Sequence, residues 1–316
     1  MALAVACPES DEHPFHKTAG ETLFHALLDA LTLLLIIGSF VPQLVAIVTG
    51  TNTAGISPWY ILLLTITSST LLLSRASNAY TLPLYWGIRD GLLGGWKALY
   101  VLLIFIEVFV QWACTVALLG IYLTFRNDQE SPDYPPHHVG LSNRAILGIG
   151  ITYLMITLGV TLAFFITASS KNSHSIPYRG IQHTCQAILT PFGLGTALTS
   201  AIPQIHLIII RYHSGRGLGS LSILSLGLQF LAFVVLGVSQ GLRLYSISES
   251  GHSWMTVDVD EPRWPARHWW DTVLCIPWVG AILLLFGTMV VSVALGLSQL
   301  VLFSVALGIG RSRSQL

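Results

Sequence analysis

Seven long runs of apolar side chains divide this chain. Each reaches the roughly 20 apolar residues that a helix needs to cross a bilayer. They predict spans at 23–48, 57–79, 97–125, 145–169, 183–210, 220–245 and 272–300. The last run continues without a charge to Gly308 and contains Gly287 and Gly296. Two spans would need about 40 residues and a turn, and no turn signal interrupts it. It therefore predicts one overlong or tilted helix whose end lies at the interface. The connections are short except 126–144, which holds SPDYPPHH, and 246–271. The second carries Trp254, Trp264, Trp269 and Trp270, and the last pair reads as an interfacial anchor beside a span.

Composition narrows the class. The chain is 53% hydrophobic and 9% charged, against about 25% charged in soluble domains. So little charge cannot cover a soluble surface, and the chain reads as a polytopic membrane protein whose first partner is the bilayer. Its zero net charge gives no footprint for nucleic acid. Cys7, Cys114, Cys185 and Cys275 have neither metal-ligand nor disulfide spacing. His137 and His138 sit in a proline-rich loop without further ligands, so no metal and no cofactor are expected. HExxH, GxSxG and P-loop patterns are missing, as is a carboxylate pair on one helix, so catalysis is not expected. The first residues lack the basic region of a cleaved signal peptide.

A motif recurs. Pro42-Gln43 is followed by the loop TGTNTAG and a helix opening at Ile56-Ser57-Pro58. Pro203-Gln204 is followed by HSGRGLG and a helix opening at GSLS. The offset between the two pairs carries span 2 onto 218–240, and an offset of about 170 carries span 3 onto span 7. Span 4 has no counterpart. Three spans reverse the chain's direction, and one more helix restores it, so the repeats are parallel about an axis along the membrane normal. The reading is an all-α membrane fold of seven transmembrane helices in 3+1+3 parallel three-helix-bundle repeats. A tail covers 1–22, the first repeat 23–125, the loop and linker helix 126–170, the second repeat 183–300, and an apolar extension and tail 301–316.

Candidate chemistry follows from what a membrane makes costly. Proline removes a helical hydrogen bond, at a cost of about 3 kcal/mol in a helix interior. Pro42 deprives the carbonyl of Gly38 of its partner, and Pro203 that of Thr199. We read both prolines as hinges, with Gln43 and Gln204 tying them to neighbouring helices. An acid inside a span costs about 2.5–3.5 kcal/mol at the helix centre. Glu107 lies well inside span 3 and shares a face with Gln111. Asp29 lies shallower in span 1, within reach of the headgroups. These three, with Asn78 and His206, are the candidates for proton coupling or substrate contact. His206 stands three residues after Pro203, and His183 starts the same span. Gln229 and Gln240 add polar groups to span 6, and Arg75 and Arg211 are read as snorkelling near span ends.

The doubled Pro-Gln motif, each with a small-residue loop and a GIS or GSLS helix start, resembles the PQ-loop repeat family. That family includes SWEET-type sugar transporters and lysosomal or vacuolar cystine and cationic amino-acid transporters. QWACTVALLGIYLTF and GSLSILSLGLQF are similar to its fungal branch. The resemblance covers about residues 23–300. It implies a transporter moving a small polar solute by alternating access, with a cationic amino acid as the first substrate expectation; Glu107 and Asp29 add the expectation of proton coupling. It also implies a vacuolar, lysosomal or other endomembrane location with a lumenal N-terminus. The basic residues lean the other way. That orientation places six inside (Arg126, Arg144, Arg211, Arg216, Arg311 and Arg313) and nine outside. The first repeat also departs from the pattern, since 47–52 lacks the basic residue that Arg211 and Arg216 supply in the second. The alternative is a non-transporting seven-helix receptor or sorting protein of an internal membrane. The sequence assigns no oligomeric state.

Overall fold

The computed structural model describes residues 19–51, 53, 55–76, 96–125, 143–169, 176–214, 218, 221–250 and 277–314. Among these, all regular structure is helical. Seven helices run α1 (Ala19–Gly50), α2 (Pro58–Ala76), α3 (Trp96–Phe125), α4 (Asn143–Ser169), α5 (Ile176–His213), α6 (Ile223–Ser250) and α7 (Pro277–Ser314). Each contains a stretch long and apolar enough to cross a membrane. The chain is an all-helical polytopic membrane protein.

Side-chain placement inverts that of a soluble protein. On α1 the exposed side chains include Leu27, Leu31, Leu34, Ile37, Val41, Val45 and Val48, an apolar stripe. The opposite face buries Asp29, Thr32, Ser39 and Gln43. In lipid, polar groups are satisfied inside the protein or in a wet cavity, and the apolar face turns outward.

Six helices close a ring. The order of contacts is α1, α3, α2, α5, α7, α6 and back to α1. Exchanging α1 with α5, α2 with α6 and α3 with α7 leaves this order unchanged, which is the two-fold relation of the parallel repeat. The linker α4 stands outside the ring against α2, where Tyr153 Oη meets Thr70 Oγ1 at 2.8 Å.

The repeat registers differ from those drawn from span edges. In the first half, Ile56 N–H donates to Thr53 O at 3.1 Å, and Ser57 then precedes α2. In the second, Leu221 N–H donates to Leu218 O at 3.4 Å, and Ser222 precedes α6. Ser57 therefore corresponds to Ser222, whereas the offset of the Pro-Gln pairs would set it against Leu218. Helix α7 is one continuous helix from Pro277 to Ser314, and it contains the apolar stretch Gly287–Gly310. Gln111 of α3 and Gln299 of α7 are both fully buried. Lipid and protein interiors are both apolar, so the edges of a run do not reveal its register.

Two of the interhelix contacts depend on glycine. A Cβ on Gly237 of α6 would come 3.0 Å from Val293 Cγ2 of α7. One on Gly287 of α7 would come 2.6 Å from Thr190 Oγ1 of α5. Such small residues let membrane helices approach closely.

The first loop demands one more glycine. Gly55 is buried with φ 94°, the left-handed geometry of the third residue of a type II turn. Thr51, which closes α1, holds φ 46° despite its branched side chain. We expect Gly55→Ala to destabilise the fold by about 1–2 kcal/mol and Thr51→Gly to stabilise it by up to about 1 kcal/mol. Unfolding midpoints in detergent would check both signs.

Candidate functional site

The two Pro-Gln pairs meet the opposite repeat. Helices α1 and α5 continue through Pro42 and Pro203, and α5 holds a further proline, Pro191. Gln204 on α5 faces the start of α2. Its Oε1 accepts from Ser57 N–H at 2.7 Å, and its Nε2 donates to Gly55 O at 2.7 Å. Gln43 on α1 faces the start of α6, where its Oε1 accepts from Ser222 N–H at 2.9 Å. Each glutamine therefore satisfies backbone groups of a turn that has left helical geometry inside the bundle. Gly55, Ile56 and Ser57 are all buried, so solvent cannot take over. These exchanged bonds latch the ring at the end where the Pro-Gln loops lie.

Ser222 also caps its own helix, its Oγ accepting from Ser225 N–H at 3.2 Å. Ser225 Oγ in turn donates to Ser39 O at 2.6 Å, in the turn of α1 that Pro42 weakens. Gln229 Nε2 donates to Ser225 Oγ at 3.3 Å. Tyr60 reaches from α2 towards the second repeat. Its Oη lies 3.1 Å from Gln299 Oε1 on α7 and 3.5 Å from Gln229 Oε1 on α6. Below the latches, then, sits a neutral cluster of amides and hydroxyls drawn from α1, α2, α6 and α7.

The stretch Thr65–Thr70, TITSST, escaped the sequence reading although five of its six residues carry hydroxyls. Thr67 Oγ1 donates to Thr196 Oγ1 of α5 at 2.9 Å. Ser68 Oγ meets Thr115 Oγ1 of α3 at 2.6 Å, and Trp112 Nε1 donates to Ser69 Oγ at 3.1 Å. With the Thr70–Tyr153 bond, α2 is joined by hydroxyls to three helices. The aligned stretch of α6, 230–235, reads FLAFVV and has none.

The candidate charged groups lie towards the other end. Glu107 is buried on α3, one turn before Gln111. Asp29 is fully buried, with Ser239 Oγ of α6 donating to its Oδ1 at 3.1 Å, rather than reaching the headgroups. Along their helices Asp29, Arg75 and Glu107 lie roughly 26–32 Å from the ends nearest the latches, at 1.5 Å per residue. Gln240, next to Ser239, is buried too. His206 is exposed on the outer face of α5, in a stripe with Ile202 and Ile209, and does not join the buried cluster. Asn78 lies outside the described residues, as does the side chain of His183.

Gln111 is the anomaly. It is 0% exposed, and neither its Oε1 nor its Nε2 has a hydrogen-bond partner among the described residues. Gln299 on α7 has a partner for Oε1 but none for Nε2 among them. A buried amide left unsatisfied costs about 1–3 kcal/mol for each stranded group. Among the described residues, no group of three His, Cys, Asp or Glu side chains could hold a metal ion.

Neither the models of known families, nor the curated proteins, nor the solved structures contain a match to this chain.

The latch has a measurable cost. Gln204→Leu strands both Gly55 O and Ser57 N–H in the bundle and should destabilise it by about 2–4 kcal/mol. Ser298 Oγ, which donates to Ala197 O at 2.7 Å, adds a bond to a carbonyl already within a helix. Ser298→Ala should cost about 1 kcal/mol. Denaturant unfolding of the two variants in detergent would give the comparison.

Proposed function

We propose that the chain is a transporter of the PQ-loop type that moves a small polar solute through the interior of the helix ring by alternating access. The observation that carries this reading is the unsatisfied amide of Gln111, fully buried on a ring helix. A group that costs stability and has no partner among the described residues is paired by what passes through, water or solute. Gln299 Nε2 is a second such group on the equivalent helix of the other repeat.

The latch accounts for one gate. While Gln43 and Gln204 hold the starts of α6 and α2, and Tyr60 bridges to Gln299, the ring is closed at that end. Opening must break bonds on both sides of the two-fold axis. Pro42 and Pro203 lie immediately before the two glutamines and leave each helix short of one internal bond there. They are the hinge positions in this reading. The acids towards the opposite end, Asp29 and Glu107, favour a cationic group, so a solute bearing an ammonium and proton coupling both belong to it. The membrane is an internal one, of vacuolar or lysosomal type, by the resemblance of the Pro-Gln repeats.

Gln111→Leu separates function from stability. It should leave the unfolding free energy unchanged or raise it by about 1 kcal/mol, while abolishing solute uptake into proteoliposomes. The panel for uptake is amino acids, cystine and sugars under an inward proton gradient. In the same assay Glu107→Gln and Asp29→Asn should flatten the dependence of uptake on that gradient. Uptake that stays pH-dependent in both would remove proton coupling. No flux of any solute, with binding of a lumenal peptide instead, would replace transport with a receptor role.

A further inference from the structure

Inside the ring, α1, α2, α6 and α7 supply the parts of one chain of hydrogen bonds, and that chain is interrupted at a single link. Tyr60 Oη of α2 donates to Gln299 Oε1 of α7 at 3.1 Å. Beyond the interruption, Gln229 Nε2 of α6 donates to Ser225 Oγ at 3.3 Å. Ser225 Oγ then donates to Ser39 O of α1 at 2.6 Å. All five residues are buried. In each bond the donor lies on the Tyr60 side and the acceptor on the Ser39 side.

The interruption is one of donors and acceptors. A phenol carries one hydrogen, and Gln299 takes that of Tyr60. The contact from Tyr60 Oη to Gln229 Oε1 is 3.5 Å, too long for an O–H···O bond of its own. Gln229 Oε1 is therefore short of a donor. Gln299 Nε2 has no acceptor among the described residues. Both amides converge on the same phenol oxygen, so the missing donor and the missing acceptor belong to the same small part of the interior.

We propose that one hydroxyl-type oxygen, of a bound water or of an alcohol group on a solute, completes this link. It accepts from Gln299 Nε2 and donates to Gln229 Oε1. A carboxylate accepts but cannot donate, and an ammonium donates but cannot accept. A buried water is held by about two to four polar partners, and the two amides meet that need. With the oxygen in place, aligned bonds run unbroken from Tyr60 to Ser39, and such bonds strengthen one another in a low-dielectric interior. The run ends in the turn of α1 before Pro42, so the oxygen ties the Tyr60 bridge to that proline's segment. Where the oxygen is water, the site stands on its buried amides alone. Where it belongs to a solute, the site rests on the transport reading above.

Two measurements separate the sources. X-ray radiolysis converts bound water to hydroxyl radicals, which modify the nearest side chains even when these are buried. On the full chain in nanodiscs without solute, Tyr60 should be modified about tenfold faster than Tyr122, a tyrosine of α3 buried to the same degree. Gln229→Leu/Gln299→Leu should bring Tyr60 down to the Tyr122 rate. That result identifies water. A solute hydroxyl is identified by uptake into proteoliposomes of pairs alike except for that group, L-serine against L-alanine and L-threonine against L-valine. The hydroxylated member should be favoured about tenfold or more, and the double variant should erase the preference. Tyr60 modified no faster than Tyr122, or unchanged in the double variant, together with equal uptake within each pair, would overturn the proposal. If none of the four solutes is taken up, the transport reading loses support and the labelling alone decides on the site. If the double variant does not fold, the comparison of Tyr60 with Tyr122 in the unmodified chain decides.

Discussion

A bilayer supplies no hydrogen bonds, so a backbone that leaves helical geometry inside it must be satisfied by the protein. In this chain the starts of α2 and α6 dip into the bundle, and one side-chain amide from the opposite repeat meets each. Gln204 answers both the donor and the acceptor that the first loop exposes, Ser57 N–H and Gly55 O. Gln43 does the same for Ser222 N–H. The ring closes on itself because each repeat completes the other's turn. The positive φ of Gly55 and the hydrogen-bonded turns before Ser57 and Ser222 are the local geometry that brings those groups to the glutamines.

The symmetry is one of backbone and contact order, not of side-chain chemistry. Helix α2 is tied by its hydroxyl run to α3, α4 and α5. Helix α6 instead meets α7 along a seam in which Gly237 and Gly296 receive Val293, Phe233 and Val234 at van der Waals distance or closer. Directional bonds hold a single arrangement, while a glycine-lined apolar seam resists sliding less. The two three-helix repeats thus differ, one bonded by hydroxyls and one packed on glycine.

Much of this was legible in the sequence. The seven spans, the extra linker and the doubled Pro-Gln motif are all set by local composition, which apolar runs and prolines report well. The partners of Gln43 and Gln204 were legible only as "a neighbouring helix", because which turn they meet depends on ring closure. Gln299 was missed for a definite reason. A lone glutamine in the last apolar run has no acid or proline beside it, and only the closed ring brings it to Tyr60. The outward position of His206 was hidden because, in a span apolar on both faces, periodicity does not separate lipid from interior. The TITSST run carried its signal openly, as five hydroxyls in one apolar span, but a hydroxyl can bond its own helix and need not mark a contact. Here Thr67, Ser68 and Thr70 do both.

The central claim is that the ring encloses a hydrated path reaching Gln111 and closed at the Pro-Gln end. The most direct measurement is the side-specific reactivity of Gln111→Cys, with the native cysteines replaced, towards a charged, membrane-impermeant thiol reagent in proteoliposomes. Val45→Cys, on the lipid face of α1, is the control. The account predicts that position 111 reacts from the membrane face opposite the Pro-Gln loops and position 45 from neither face. An unreactive cysteine at 111, or one no more reactive than that at 45, would mean the interior is dry and would contradict the account.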